Sequence, residues 1–155
     1  KQFYKGNADW EQIRRLKAAV DIPVIGNGDL ADPHDAMRRM RESGVDAVML
    51  GRAILGNPWL VSGLRALMEG REPQPYPDAI ERLRFALHHY RVMVEELGEP
   101  RAVPQMRKHL GYYLKAFSGA SELREKVMRT PTAAETLALV EATVERLIAE
   151  NQKAA

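Results

Sequence analysis

The sequence predicts an α/β half followed by an all-α half, and three observations carry that expectation. Two short apolar runs, Ile22–Ile25 and Ala47–Leu50, each end in a glycine with polar neighbours: Gly26-Asn27-Gly28-Asp29 and Gly51-Arg52. A stretch with helical spacing precedes each run. Beyond the segment 71–77 (REPQPYP) strand signals stop and only helical spacing is left. Buried parallel strands read as short continuous apolar runs, and a strand–helix–strand unit within one sheet is parallel and right-handed.

Each element follows from local chemistry. Residues 1–6 are polar and aromatic, closed by Gly6. The first helix opens at Ala8-Asp9-Trp10, with Asn7 or Asp9 as N-cap and Trp10, Ile13, Leu16, Ala19 and Val20 along one face. Pro23 stands at a strand start, where a missing N–H is tolerated. Asp32-Pro33 begins the second helix as a cap followed by proline at the first helical position. Its apolar side is Ala36, Met37 and Met40, and Ser43-Gly44 ends it. Pro58 opens a third helix with Trp59, Leu60, Leu64 and Leu67 inward and Gly70 as C-cap. The expected organisation is an α/β part over 1–70, a proline-rich linker over 71–77 and a helical domain over 78–155. In the latter, helices are predicted over Asp78–Leu97, Val103–Phe117, Ser121–Arg129 and Thr132–Glu150.

Composition narrows the function classes. At 155 residues and 45% hydrophobic the chain has material for a core, and no apolar run approaches the ~20 residues of a membrane span. The chain has no cysteine, which excludes a disulfide framework and any thiol chemistry of its own. A cytoplasmic protein with no membrane partner is the default expectation. The first residue is Lys1 and not Met, so a cut or processed chain is expected. Two parallel strands leave edges and faces uncovered. Either a partner chain completes the sheet, or these residues are the C-terminal piece of a larger α/β protein. Met37, Met40, Met49, Met93 and Met106 read as core filling. His88-His89, beside Arg84 and Arg91, needs carboxylates to make a metal pair and reads better as core or surface histidine; no metal site is expected.

The two strand ends suit a phosphate. Glycine has no Cβ and accepts positive φ, so Gly26, Gly28 and Gly51 permit close approach to backbone N–H groups. Arg52 offers a planar fork of donors. Residues 52–55 have the makings of a short helix whose N-terminus points at the same spot. Asp29 is a poor neighbour for phosphate by charge; a backbone N–H is its expected contribution, with the carboxylate capping or meeting a sugar-like hydroxyl. Asn27 has donors and acceptors for either loop or ligand, and Asp46 reads as structural. The order strand, GNGD, helix, strand, GR, short helix, long helix matches the last two βα units of a (β/α)8 barrel, where loops after the final strands and a short extra helix often hold phosphate.

Charge counting marks a second surface. Residues 101–129 hold seven basic side chains (Arg101, Arg107, Lys108, Lys115, Arg124, Lys126, Arg129) against Glu122 and Glu125, a net of +5. Residues 71–100 and 130–155 are each −2 by the same count. At about 100° per residue, Met106, Leu110, Tyr113 and Phe117 share one side of the predicted Val103–Phe117 helix, with Lys108, Tyr112 and Lys115 opposite. Outward cations with an aromatic suit a nucleic-acid backbone, and Arg107 and His109 flank them.

Three motifs carry a family resemblance. Tyr4-Lys5-Gly6-Asn7-Ala8-Asp9-Trp10, IPVIGNGD at 22–29 and GRAILGNPW at 51–59 resemble the end of the barrel in bacterial tRNA-dihydrouridine synthases. RKHLGYYLK at 107–115 resembles the helical-domain signature of their B-like branch. The resemblance implies an FMN-binding (β/α)8 barrel followed by a helical domain that helps to hold tRNA. It implies hydride delivery from reduced flavin to uridine, giving 5,6-dihydrouridine, with NADPH as reductant and a cysteine as proton donor. It places Asn27, Gly28, Asp29, Gly51 and Arg52 at the FMN phosphate, and Arg107, Lys108, His109, Tyr112 and Lys115 at the RNA. The family's cysteine would precede Lys1, so no catalytic residue is expected in this chain, which is expected to be inactive alone. The full-length protein is expected to be monomeric. Two alternatives stand beside this: another phosphate-binding FMN barrel oxidoreductase acting on a small molecule, and a non-enzymatic helical RNA-binding module.

Overall fold

The computed structural model describes residues 6–154, which divide into two units, Lys1–Pro75 and Tyr76–Ala155. Tyr4 and Lys5 of the opening motif lie outside the described residues. The first unit runs α1 (Trp10–Ala19), β1 (Ile25–Asn27), α2 (Pro33–Ser43), β2 (Ala47–Met49), a 3-10 turn (Arg52–Ile54) and α3 (Trp59–Met68). Asp9, not Asn7, caps α1: its Oδ1 accepts from the N–H groups of Glu11 and Gln12 at 3.1 and 3.2 Å. Asp32 caps α2 by accepting from the N–H of Asp35, with Pro33 just inside, and Gly44 closes it at φ 70°. The C-cap of α3 is Glu69; Gly70 follows it at φ 73°.

The two strands pair in parallel, Ile25 opposite Ala47, Gly26 opposite Val48 and Asn27 opposite Met49. The first strand starts only at the last residue of its apolar run. Upstream, the Asp46 carboxylate accepts the Val24 N–H at 2.7 Å, while the Val24 carbonyl accepts from the Asp46 N–H at 3.0 Å. A side chain therefore stands where a ladder bond would be. Alternation along the strands sends Val48 into a core of Leu30, Ala36 and Leu64, joined by Trp10, Met37 and Leu50. Ile25 and Met49, on the other face, are 65% and 54% exposed.

The second unit contains α4 (Ala79–Leu97), α5 (Glu99–Tyr113), α6 (Ala120–Arg129) and α7 (Ala133–Ala154). Its core includes Leu83, Tyr90, Met106, Leu110, Val127 and Val140. Helix α5 lies four residues earlier than the predicted Val103–Phe117. Gly98, at φ 73°, turns the chain from α4 directly into α5, and Pro100 occupies the first turn. Pro104 sits inside the helix. Beyond Tyr113 the helix is over, and Ala116 adopts φ 59°, so Lys115 and Phe117 belong to the following loop. The start of α7 is held from a distance: Glu99 Oε1 accepts the Ala133 N–H at 2.6 Å. Among the described residues no helix is long and apolar enough to cross a membrane.

Candidate phosphate cleft and basic face

The ends of β1 and β2 open onto a cavity of about 390 Å³, lined by residues 27–31 from one strand end and by Met49 and residues 51–53 from the other. Asn27, Gly28, Asp29, Gly51 and Arg52 all line it. Their polar atoms have different commitments. Asn27 Nδ2 donates to the Met49 carbonyl at 2.6 Å and ties the two strand ends together. Asp29, at φ 53°, accepts the Ala8 N–H on Oδ2 at 2.6 Å. The indole N–H of Trp10 donates to the Gly28 carbonyl at 2.9 Å.

These contacts explain two of the three glycines by packing. A Cβ on Gly26 would come within 2.8 Å of the Trp10 ring, and one on Gly28, which also holds φ 137°, would collide with Ala8. The segment Ala8–Trp10 thus claims the space that those glycines leave. Gly51 differs. A Cβ there would meet only Asn27 Nδ2, at 3.8 Å, so its bare face is turned to open space. Arg52 begins the 3-10 turn, in which the Leu55 N–H bonds the Arg52 carbonyl at 3.1 Å. Three residues of turn carry far less dipole than a regular helix.

The link from Ala8 and Trp10 to Gly28 and Asp29 escaped sequence reasoning, because the partners lie 18 and 21 residues apart. The tetrad Asn7-Ala8-Asp9-Trp10 was the available signal. Asp46 has the structural part expected of it: the Lys17 ammonium at 2.8 Å and the Val24 N–H together hold its carboxyl below the usual carboxylate range.

In the basic segment the seven cations separate into three groups. Lys126 and Arg129 pair with Glu122 and Glu125 at 2.7 Å each. Arg107 and Arg124 turn to backbone, Arg107 Nη2 donating to the Thr130 carbonyl at 2.9 Å and Arg124 Nη2 to the Leu114 carbonyl at 2.7 Å. Arg101, Lys108 and Lys115 are exposed. The earlier start of α5 brings Arg101 onto the same helix as Lys108, seven residues and almost two turns before it. Tyr112, 38% exposed, lies one turn beyond Lys108. Arg101 was counted in the charge balance but not placed on this stripe, because the helix was expected to begin after it.

His109 is half-buried, its ring 5.0 Å from that of His89. His89 Nδ1 lies 3.2 Å from the Tyr113 hydroxyl. Burial pushes both imidazoles below their ordinary pKa, reinforced by the charge of His109 on His89 and of Lys108 on His109. The neighbours of His89 are thus imidazole and phenol. Among the described residues no group of three or more His, Cys, Asp or Glu side chains is placed to hold a metal.

A family model described as Dihydrouridine synthase (Dus) matches residues 1–149. The chain belongs to the dihydrouridine synthase family. Proteins named probable tRNA-dihydrouridine synthase are among its relatives. That of Rickettsia bellii is 41% identical over 134 residues, covering 85% of this chain and 41% of the relative. That of Mycobacterium leprae is 41% identical over 133 residues, 84% of this chain and 34% of the relative. That of Rhodobacter capsulatus is 38% identical over 139 residues, 90% and 42%. The chain therefore spans between about a third and two fifths of the length of these relatives. In this chain GRAILGNPW comprises the cleft residues Gly51 and Arg52, the 3-10 turn and the start of α3.

Proposed function

We propose that this chain supplies the phosphate end of a flavin site and an RNA-holding helical unit to an FMN-dependent tRNA-dihydrouridine synthase. The cleft at two parallel strand ends is the observation that carries the reading. Its residues suit a phosphate. Gly51 leaves bare backbone facing the opening, Arg52 brings the guanidinium, and Gly28 and Asp29 bring backbone N–H groups. Asn27 and the Asp29 carboxylate act one step back, holding the loops in place. Bound FMN would supply the hydride that reduces uridine in tRNA, with NADPH restoring it.

The open apolar face carrying Ile25 and Met49, and a sheet of two strands among the described residues, support further strands that close a (β/α)8 barrel around the site. The chain has no cysteine, so the proton donor comes from outside it and the chain is inactive by itself. The stripe Arg101, Lys108 and Tyr112, with Lys115 beyond the helix end, faces the tRNA; His109 stands beside it and Arg107 supports it. A cytoplasmic, monomeric enzyme fits this reading.

The test is spectroscopic. Full-length protein is expected to show flavin absorbance, bleached by NADPH and restored by uridine-containing tRNA. A colourless full-length protein with an intact barrel overturns the proposal. The basic stripe also favours a second reading, in which RNA binding is the whole contribution of these residues. That reading predicts salt-dependent tRNA binding by the 155-residue chain with no flavin in the full-length protein.

A further inference from the structure

A buried arginine, Arg82, and a half-buried one, Arg124, converge on one loop from different helices. Arg82, on α4 and 6% exposed, donates from Nη1 to the Pro77 carbonyl and from Nη2 to the Lys115 carbonyl, both at 2.9 Å. Its guanidinium lies 5.3 Å from the centre of the Tyr76 ring. Arg124, on α6, donates from Nη2 to the Leu114 carbonyl at 2.7 Å. Consecutive carbonyls are thus gripped from two sides. They stand at the end of α5, where the last C=O groups lack intrahelical partners and the helix dipole favours a cation. The ion pairs found among the described residues include neither guanidinium, and both Nε atoms are buried without a partner.

Ending a helix does not require this. Helix α2 ends on Gly44 and α4 on Gly98, with no arginine on the final carbonyls. Here the chain passes into the left-handed Ala116 at φ 59°, a conformation that a non-glycine residue keeps only when its surroundings impose it. Lys115, which carries the second gripped carbonyl and immediately precedes that turn, is exposed and two positions beyond the helix.

We infer that Arg82 and Arg124 are positioning residues which fix the 114–116 turn so that Lys115 meets the RNA backbone from a set place. The inference rests on the reading of Lys115 as RNA-facing. Its physical content is prepayment: backbone ordered in the free protein need not be ordered on binding.

A double-mutant cycle on the 155-residue chain tests it, with a fluorescent uridine-containing tRNA transcript read by anisotropy. In the wild-type background, Lys115→Gln and Lys108→Gln are each expected to raise Kd roughly fivefold, the order of one phosphate contact. In Arg82→Met or Arg124→Met, Lys115→Gln is expected to change Kd less than about twofold, while Lys108→Gln, on the body of α5, keeps its full effect. A purely structural role would move both lysines alike. Should a methionine variant lose the Lys108 effect as well, the cycle is read in Arg82→Lys and Arg124→Lys, which keep the charge but not the fork. An undiminished Lys115 effect in the clamp variants overturns the inference and leaves the RNA reading standing. No Lys115 effect in the wild type overturns both.

Discussion

Arg107 donates from Nη2 to the carbonyl oxygen of Thr130, 2.9 Å away, and so joins α5 to the C-cap of α6. The Thr130 hydroxyl in turn lies 2.6 Å from that of Thr136, on α7. Removing the guanidinium leaves a carbonyl unsatisfied at this junction. Arg107→Met is expected to lower stability by about 1–3 kcal/mol in urea unfolding. The same substitution should weaken tRNA binding less than Lys108→Gln does, since its charge already faces backbone.

Gly28 and Gly51 should answer differently to alanine. At Gly28 the added methyl collides with Ala8 and the φ of 137° is wrong for it, so a loss of about 2–3 kcal/mol or more is expected. At Gly51 the space is open, and stability should stay within about 1 kcal/mol. The readout that should move is flavin retention by full-length protein, because the methyl enters the cleft.

Asp46 predicts an acid-side dependence. Its carboxyl titrates below the ordinary range through Lys17 and the Val24 N–H. The charged form is therefore the stabilising one, fully present above the unfolded pKa of about 4 and lost as pH falls through the lower folded value. Asp46→Asn should destabilise at pH 7, with the difference from wild type shrinking below about pH 4. Paired denaturant titrations across that range give the comparison.

The imidazole pair sets a second window. Both His89 and His109 have pKa values below the ordinary 6.5, chiefly through burial. Neutral rings are favoured in the fold, so stability is complete above about pH 6.5 and declines as pH drops through the folded values. His109→Gln should flatten that decline between pH 7.5 and 5, followed by urea midpoints. His88, exposed and with a lesser influence on His89, should leave it largely unchanged when replaced.

On α5, Arg101→Gln and Lys108→Gln should each weaken tRNA binding across sequences and reduce the slope of log Kd against log salt by about 1. Gln105→Ala, on the turn between them, should leave the slope unchanged.

Where structure follows from neighbours in sequence, it could be read directly: Asp9, Asp32 and Asp78 each accept a bond from N–H groups two or three residues on. The cleft was legible for the same reason, since each side of it is a continuous stretch of chain. The frame of α5 was not. Pro100 and Pro104 both suit a first turn, and local preference does not choose between them. Burial of Ala102 and Val103 goes with the earlier start. Likewise, nothing local to Arg107 announces a carbonyl 23 residues away, nor does the glycine pattern reveal that Trp10 fills the space beside Gly26.

The arginines on backbone carbonyls give the helical unit two kinds of charge with different kinetic consequences. Arg82, Arg107 and Arg124 are spent on backbone, yet the ion pairs found among the described residues do not include them. Their field still extends about a Debye length, near 8 Å at physiological ionic strength, and draws a polyanion inward. Their guanidinium groups are already bonded to backbone carbonyls. In the proposed RNA-binding role, holding falls to Arg101, Lys108 and Lys115, which are exposed. On that proposal, encounter rate and residence time fall to separate sets of side chains, and each is open to adjustment without the other.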